Sequence, residues 1–483
     1  MYIKNRKRQI NLTDFNQPVG LHMNPENRWV RKAETIPWDD IEEEYAKLFS
    51  DEIGAPAKPV HVALGSLLIQ KQYGYSDREL VEQITENPYY QFFIGLSGYQ
   101  EERPFAPTLL VEFRKRLDEN VLMHINEMIL EYNTPDDPPP TGGGDADGDS
   151  SDGPNEGTLI LDATCAPQNI AFPQDINLLN EAREKCEMII DTICYEYNCE
   201  KPRTYRRTAR KDYLLLARSK KRTKKKIRKA LKKQLQYVRR DLKYIDEYLE
   251  AGVMLSEKHQ TLLETIRKVH EQQQFMYKKD VRSVPDRIVS ISQPYIRPVV
   301  RGKAKTPTEF GAKLDMSLDS YGYARIEKLS FDAYNECDVL QDAVERFHER
   351  TGRYPERVLA DKIYRNRSNL QYCKANGIRL LGPPLGRPKK ETNDDKKQEY
   401  IDNADRVAVE RSFSLSKRCY GLGLIKTKLS DTTKASIVLS IIAMNVGWIT
   451  ASSLRLFLKT AFSMIKLLLW RRQEAHQVIL VFF

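Results

Sequence analysis

Two short strings decide the fold of this chain: TLILD at residues 158–162 and RVLAD at residues 357–361. In each string an apolar run leads directly to an aspartate, a pattern typical of a buried strand that ends in a carboxylate. Open α/β sheets place their functional groups at the carboxyl ends of the strands. If the two strands are parallel neighbours, Asp162 and Asp361 lie side by side. The pattern therefore predicts an α/β fold with a site built on paired carboxylates.

A pair of close carboxylates has a specific chemistry. The two groups cannot both stay ionised at hydrogen-bonding distance without a cation. Two divalent ions about 3.5–4 Å apart offset the repulsion and drive phosphodiester chemistry. Oxygen ligands favour Mg²⁺ or Mn²⁺ over zinc. We therefore predict a site for two Mg²⁺ (or Mn²⁺) ions, with the capping of a following turn as the alternative role for each aspartate.

A third carboxylate, Glu410, lies in a predicted helix that begins near Asp402. Arg406 precedes it by four residues and Lys417 follows it by seven. At about 100° per residue, the three side chains lie within about 40° of one another on a single helix face. Glu410 could complete the metal site while the two cations bind DNA phosphates. A ladder of surface ion pairs is the alternative interpretation.

The segment between the two aspartates holds most of the positive charge. Residues 201–243 contain twenty Lys or Arg against two acids, whereas the whole chain of 483 residues has a net charge of +10. A concentrated cationic element typically faces a polyanion, because neutralising phosphates releases condensed counterions. A solvated helix face is the alternative. The densest cluster predicts DNA contacts through Lys224, Lys225, Lys226, Arg228 and Lys229.

The same segment predicts long helices. Apolar residues recur every three or four positions from Leu231 to Leu249, which is a heptad seam. Gly252 interrupts the pattern, and the spacing resumes from Leu262 to Met276. This predicts an inserted helical hairpin at about residues 176–280, with its basic half facing outward. A dimeric coiled coil fits the same spacing.

The regions around this insertion predict the domain organisation. Residues 1–133 contain short amphipathic, aromatic-rich segments, and we expect a helical N-terminal domain that binds DNA. Pro, Gly, Asp and Ser dominate residues 134–157, which is typical of a disordered acidic linker. Residues 158–454 then form the catalytic domain. Residues 455–483 form a C-terminal tail without an assigned role.

One uncharged stretch, residues 435–454, is long enough to cross a bilayer. Its serines and threonine, together with Asn445, favour a buried helix of a soluble domain instead. Seven cysteines without a CxxC pair, and no evident secretory signal, fit a reducing compartment. We therefore expect a cytoplasmic protein with no membrane partner.

Three longer strings carry a resemblance to a known family: LDATCAP around Asp162, LADKIYRNR around Asp361 and RVAVERSFSLSKRCYGL around Glu410. Together they resemble the DDE transposases of bacterial insertion sequences. The spacing of the last string is similar to the Y-R-E-K signature of the group related to the fourth- and fifth-type insertion sequences. The resemblance implies an RNase H-like core in which the three acids are metal ligands and Arg406 and Lys417 contact DNA.

The resemblance also implies a function. It implies metal-dependent hydrolysis at transposon ends, then strand transfer to target DNA, by a homodimer on double-stranded terminal inverted repeats in the bacterial nucleoid. One departure is Asn403, which stands where the signature has tyrosine; Tyr400 lies one turn earlier. Two alternatives stay open at this point: an RNase H-fold nuclease or resolvase that does not join strands, and a non-catalytic DNA-binding protein derived from a transposase.

Overall fold

The computed structural model describes five stretches of the chain: residues 9–49, 56–135, 155–300, 308–382 and 393–452. Within them the chain is mixed α/β, with a six-stranded sheet and many helices. Most of the predicted linker, residues 134–157, and all of the predicted tail, residues 455–483, lie outside the described residues.

The N-terminal part forms short helices because polar side chains cap their first turns. Ser76 accepts a hydrogen bond from the backbone of Glu79, and Asp118 accepts one from the backbone of Val121. Caps of this kind stabilise a helix by about 1 kcal/mol. The helices are α1 (Arg28–Glu34), α2 (Trp38–Ala46), α3 (Val60–Tyr73), α4 (Asp77–Glu86), α5 (Pro88–Phe93), α6 (Leu109–Arg116) and α7 (Glu119–Tyr132).

The sheet combines parallel and antiparallel strands. Its strands are β1 (Thr158–Pro167), β2 (Arg297–Val300), β3 (Thr308–Leu318), β4 (Ala324–Ser330), β5 (Arg357–Ala360) and β6 (Arg379–Leu380). The central strand β1 pairs antiparallel with β3 on one side and parallel with β5 on the other, and β5 pairs parallel with β6. The strands β2 and β4 both pair antiparallel with β3, so the chain order across the sheet is not sequential.

Strand β1 is apolar on both faces because both faces are covered. Leu159 and Leu161 pack with the helix α12 (Leu340–Thr351), in a cluster that also takes in part of α13 (Arg367–Ala375). Ile160 packs on the opposite face, in a cluster shared with the helix α14 (Asn393–Cys419). A strand buried in this way reads as a continuous hydrophobic run.

Four helices lie between β1 and β2, in the region predicted to hold the inserted hairpin: α8 (Asp175–Glu196), α9 (Arg206–Ala217), α10 (Lys224–Glu250) and α11 (Glu257–Lys279). The heptad seam of α10 is buried inside this unit, where Val238 and Ile245 are 0% exposed and pack with α8 and α11. The region holds four helices where the sequence predicted a hairpin, and the seam of α10 packs against α8 and α11 within the same chain.

The helix that contains most of the uncharged stretch is a core helix of the structure. The helix α15 (Ser430–Ser452) is apolar enough to span a membrane by composition, yet 72% of its most apolar window is buried inside the protein. Its Asn445 is 1% exposed, donates to Asn126 of α7 (2.9 Å) and to the carbonyl of Ala324 (2.8 Å), and accepts from the amide of Ala324 (2.9 Å). These bonds satisfy the buried amide within the protein.

Candidate active site

The two aspartates lie on adjacent strands at the same level of the sheet. Parallel pairing of β1 with β5 ends at Leu161 and Ala360, so Asp162 and Asp361 occupy the next position on each strand. One detail differs from the sequence prediction. The strand β5 ends where expected, but β1 continues to Pro167 because β3 pairs with it along that whole length.

Asp162 sits in an unfavourable electrostatic environment. Burial, together with the smaller effect of the negative charges of Asp361 and Glu336, raises the pKa of its carboxyl to about 6. The amide of Ala163, which donates to Asp162 at 2.8 Å, and the guanidinium of Arg406 lower the pKa in part. A buried carboxylate beside two others favours a proton or a cation.

The helix α14 is attached to the sheet at both ends. Near its start, Asp402 is 1% exposed on its side chain and accepts from Arg357 on β5 (2.8 Å) and from Arg379 on β6. Near its end, Lys417 donates to the hydroxyl of Thr164 on β1 (2.8 Å). The helix begins at Asn393, earlier than the predicted start near Asp402, and buries Val409 and Phe413 against the sheet.

These two attachments fix how α14 runs along β1. The helix rises about 22 Å from Asp402 to Lys417. Arg357, which binds Asp402, also contacts Thr158 of β1, and the strand rises about 20 Å from Thr158 to Thr164. The two elements therefore run in the same direction at matching heights. Glu410 lies about 12 Å along the helix and Asp162 about 13 Å along the strand, so the two residues are level.

The side chain of Glu410 nevertheless points to a different partner. It is half exposed and forms an ion pair with Arg406 at 3.1 Å. No group of three His, Cys, Asp or Glu that could hold a metal ion occurs in the part of the chain that the structure describes. The structure thus brings together Asp162, Asp361 and Arg406, and it leaves Glu410 beside Arg406 on the neighbouring helix.

Glu336 is a further acid near the pair that the sequence did not single out. It lies in a short 3₁₀ turn after β4 and forms an ion pair with Lys313 of β3 at 2.9 Å. Its charge raises the pKa of Asp162 and of Asp315. No periodic pattern marks this residue, because only the return of the chain after β4 brings it to this edge of the sheet.

The predicted DNA-binding cations fall into two groups. Lys224 and Arg228 form ion pairs with Asp280 after α11, at 2.7 and 3.1 Å. Lys225, Lys226 and Lys229 are exposed on α10. The first group is therefore partly neutralised within the protein, and the second is available to an external anion.

A second basic face lies on α9. Four exposed cations surround a shallow cavity of about 490 Å³, and Leu215 at its rim is 65% exposed. Among the described residues none of the four forms an ion pair: Arg207, Arg210, Lys211 and Arg218. The sequence prediction names only the densest cluster of cations, on α10, and misses these four residues. Their spacing of three, one and seven positions could have indicated a basic helix face.

Asn403 and Tyr400 both lie on the outer side of α14. The side chain of Asn403 donates to the backbone carbonyl of Glu399 at 2.9 Å, and Tyr400 is 77% exposed. Neither side chain reaches the two aspartates through a described contact.

Comparison with known proteins separates the chain into two matched regions. A family model described as Transposase DDE domain matches residues 358–447, which include Asp361, Glu410 and the whole of α14. A second model, described as Transposase domain, matches residues 20–116 in the N-terminal helices.

One curated relative and no solved structure accompany these matches. The chain is 29% identical over 172 residues to an uncharacterized protein, ORF8 in the nfe locus of Rhizobium meliloti. That alignment covers 35% of this chain and 75% of the relative. No solved structure matches the chain. The two transposase models match the helices before the sheet and the segment that carries Asp361, and together they support an insertion-sequence DDE transposase.

Proposed function

We propose that this transposase hydrolyses the phosphodiester at its transposon ends and joins the freed 3′-hydroxyl to target DNA. The observation that carries the proposal is the placement of Asp162 and Asp361 at the same level of two parallel strands. The proposed fold of this region is RNase H-like. This proposal is supported by the order of elements: the antiparallel hairpin β3–β4 precedes the parallel strands β5 and β6, and α14 packs on the sheet.

Divalent metal is the usual cofactor of this family, and the residues present fit it in part. Asp162 and Asp361 offer oxygen ligands, and the raised pKa of Asp162 reflects negative charge that a cation would offset. We propose that Glu410 joins them after leaving Arg406. Two Mg²⁺ or Mn²⁺ ions, when bound, would activate the attacking oxygen and stabilise the leaving oxygen.

The cations of α14 have separate proposed roles. Arg406 lies near Asp162, pairs with Glu410, and would bind the phosphate of the strand being cut once Glu410 moves. Lys417 holds Thr164 on the strand that carries Asp162, and we propose that it also contacts the DNA backbone. The work of these residues is positioning and charge stabilisation, without a covalent protein intermediate.

The proposed partner is double-stranded DNA, comprising terminal inverted repeats and target. The N-terminal helices would recognise the ends, and Lys224, Lys225, Lys226, Arg228 and Lys229 on the insertion would bind the backbone. We propose a homodimer that holds two ends and acts in the bacterial cytoplasm, at the nucleoid. The family's action on DNA supports the partner, and the buried surroundings of α15 support the absence of a membrane span.

A second candidate is a DNA-binding protein that no longer cleaves. The pairing of Glu410 with Arg406, away from the two aspartates, is the observation that favours it. Asn403 at the position of the signature tyrosine points the same way.

Cleavage and joining on DNA that carries the element's own ends test the proposal. With Mg²⁺ or Mn²⁺, we expect the wild type to give nicked and joined products. Asp361→Asn should lose both, because one of the paired carboxylates is gone, and should bind the same DNA with unchanged affinity.

Each other outcome has a defined meaning. Cleavage without joining would favour a nuclease or resolvase. Binding with neither product would favour the non-catalytic protein. If Asp361→Asn cleaved as well as the wild type, the assignment of the site would be wrong.

A further inference from the structure

Asp361 lies beyond the last paired residue of its strand, and its own contacts do not hold it in place. The strand β5 ends at Ala360, and Asp361 is exposed at the start of a 3₁₀ turn, Lys362–Tyr364. Its carboxylate accepts only a local hydrogen bond among those identified, from the amide of Lys362 at 2.7 Å. The position of Asp361 relative to Asp162 therefore depends on what anchors this turn.

The anchor of the turn is Tyr364. It is 0% exposed, whereas Lys362 and Ile363 are exposed, and its ring packs in the apolar cluster between the sheet and α12. Its hydroxyl donates to the carboxylate of Asp315 on β3. The turn after β5 is thus bonded to a strand on the far side of β1.

The far end of this bond lies next to Asp162. Asp315 is opposite Ala163, the residue that follows Asp162 on β1. One hydrogen bond therefore crosses the strand that carries the first aspartate, starting from the turn that carries the second. The bond therefore ties the turn that carries Asp361 to a strand that pairs with β1 at the residue after Asp162.

Asp315 is an unusual residue to place inside a sheet. It is 0% exposed, and burial raises the pKa of its carboxyl to about 6, while hydrogen bonds from Tyr334 and Tyr364 oppose that rise. Apolar residues of similar volume often fill such a space with no loss of stability. A polar link in this position points to a need for defined geometry.

The backbone of Tyr364 is held independently of its hydroxyl. Asn369 is 1% exposed, and its side-chain amide donates to the carbonyl of Tyr364 at 2.8 Å and to the carbonyl of Cys337 at 2.7 Å. Since both the backbone and the hydroxyl of Tyr364 are fixed, the turn is a short rigid link between β3 and Asp361.

We propose that Tyr364, through its bond to Asp315, is the positioning residue that sets Asp361 beside Asp162. Its effect on catalysis rests on the proposed function; its effect on the geometry of the carboxylate pair does not. No step requires the tyrosine to touch DNA or to transfer a proton.

The test compares two tyrosine variants that remove one donor each from the same carboxylate. Tyr364→Phe cuts the link to Asp361, whereas Tyr334→Phe removes the other hydroxyl from Asp315 and leaves the link intact. Steady-state cleavage rates are measured over a range of DNA concentrations, and Mn²⁺ binding to the full chain is measured by electron paramagnetic resonance.

We expect Tyr364→Phe to lower kcat by about tenfold to a hundredfold with KM for DNA unchanged, because small displacements of reacting groups have effects of this size. Its Mn²⁺ affinity should fall as well. Tyr334→Phe should stay close to the wild type in both measurements. Equal losses in the two variants would overturn the proposal, because removal of either donor to Asp315 would then explain them.

A third variant separates positioning from stability. Tyr372→Phe removes another tyrosine–carboxylate bond, from α13 to Glu345 of α12, away from the carboxylate pair. If Tyr372→Phe and Tyr364→Phe had the same melting temperature and the same kcat, the role of Tyr364 would be structural only. If Asp361→Asn cleaved DNA like the wild type, the proposed function would be wrong. The positioning role of Tyr364 would then be tested by Mn²⁺ binding alone, and an unchanged Mn²⁺ affinity in Tyr364→Phe would contradict it.

Discussion

Asp162 is held at a cost to the stability of the protein, and this cost identifies it as a functional residue. Its carboxyl is half-buried, faces Asp361 and Glu336, and has a pKa raised to about 6 from 3.8, first by burial. Carboxyl groups with a strongly raised pKa are typical of functional sites, because selection for activity can retain a residue that lowers the stability of the fold.

The stability of the Asp162→Asn variant should therefore depend on pH in a defined direction. The folded-state pKa is raised, so the group's contribution to stability is fully present below about pH 4 and is lost as pH rises through 6. We expect Asp162→Asn to be more stable than the wild type at pH 7.5, by roughly 2 kcal/mol, and the difference to shrink as pH falls from 6 to 4. Denaturant unfolding with a chelator present measures this difference.

Asp361→Asn is the matched control for that series. Asp361 is exposed, so its replacement should change stability less than that of Asp162 at each pH. A destabilised Asp162→Asn at pH 7.5 would mean that Asp162 is satisfied in the folded protein, contrary to its surroundings in the structure.

At the scale of single elements, α9 and the start of α10 differ in how far their charges are neutralised. Lys224 and Arg228 share Asp280, whereas Arg207, Arg210 and Lys211 of α9 have no ion-pair partner among the described residues. A cation already paired within the protein releases fewer counterions when DNA binds, because its charge is partly offset before binding.

Neutralising α9 should therefore weaken DNA binding more than neutralising the paired cations of α10. We expect Arg207→Gln, Arg210→Gln and Lys211→Gln together to lower affinity for all duplex sequences alike. The slope of log affinity against log salt should flatten by up to about 0.9 for each DNA phosphate that the variant no longer neutralises. Fluorescence anisotropy between low and moderate salt measures both quantities.

The control is the double variant Lys224→Gln and Arg228→Gln, which removes cations already paired with Asp280. A larger change in salt slope for this control than for the α9 variant would show that α10 is the principal DNA-binding helix. An unchanged slope in both would exclude the insertion from the DNA interface.

At the scale of the whole molecule, the N-terminal helices and the sheet share one hydrophobic core. A continuous apolar cluster contains residues of α3, α7, β3 and α15. Asn445 of α15 joins α7 to β4 inside that core through Asn126 and Ala324. The helix that resembles a membrane span in composition is thus packed between the N-terminal helices and the sheet.

Asn445→Ala should destabilise both regions together. Its removal leaves the backbone N–H of Ala324 and the side-chain oxygen of Asn126 without the partner that Asn445 supplies, whereas the Ala324 carbonyl keeps its bond from Asn126 at 3.2 Å. Each buried group left unsatisfied costs about 1–3 kcal/mol. We expect a lower melting temperature with a single transition by calorimetry. Asn403→Ala, whose exposed side chain bonds only to its own helix, should leave the transition unchanged. Two separate transitions in Asn445→Ala would contradict a shared core.

The sequence by itself determined the local structure and the candidate residues. The string 357–361 predicted β5 with the carboxylate that follows it. Both aspartate strands could be predicted because strand periodicity and strand ends are local properties of the chain. Their parallel pairing was only a condition of the prediction, and the structure shows it. The strings around the three acids identified the family, which the two family models support.

Only the tertiary structure decided how the site is held together. The continuation of β1 past Asp162 depends on β3, which lies more than a hundred residues away in sequence. The placement of α14 along β1 depends on its anchors at Asp402 and Lys417, which bond to strands far away in sequence. The link from Tyr364 to Asp315 joins two strands across a third. Contacts between distant segments leave no periodic signal in a single sequence, because their geometry is fixed by packing after the local elements have formed.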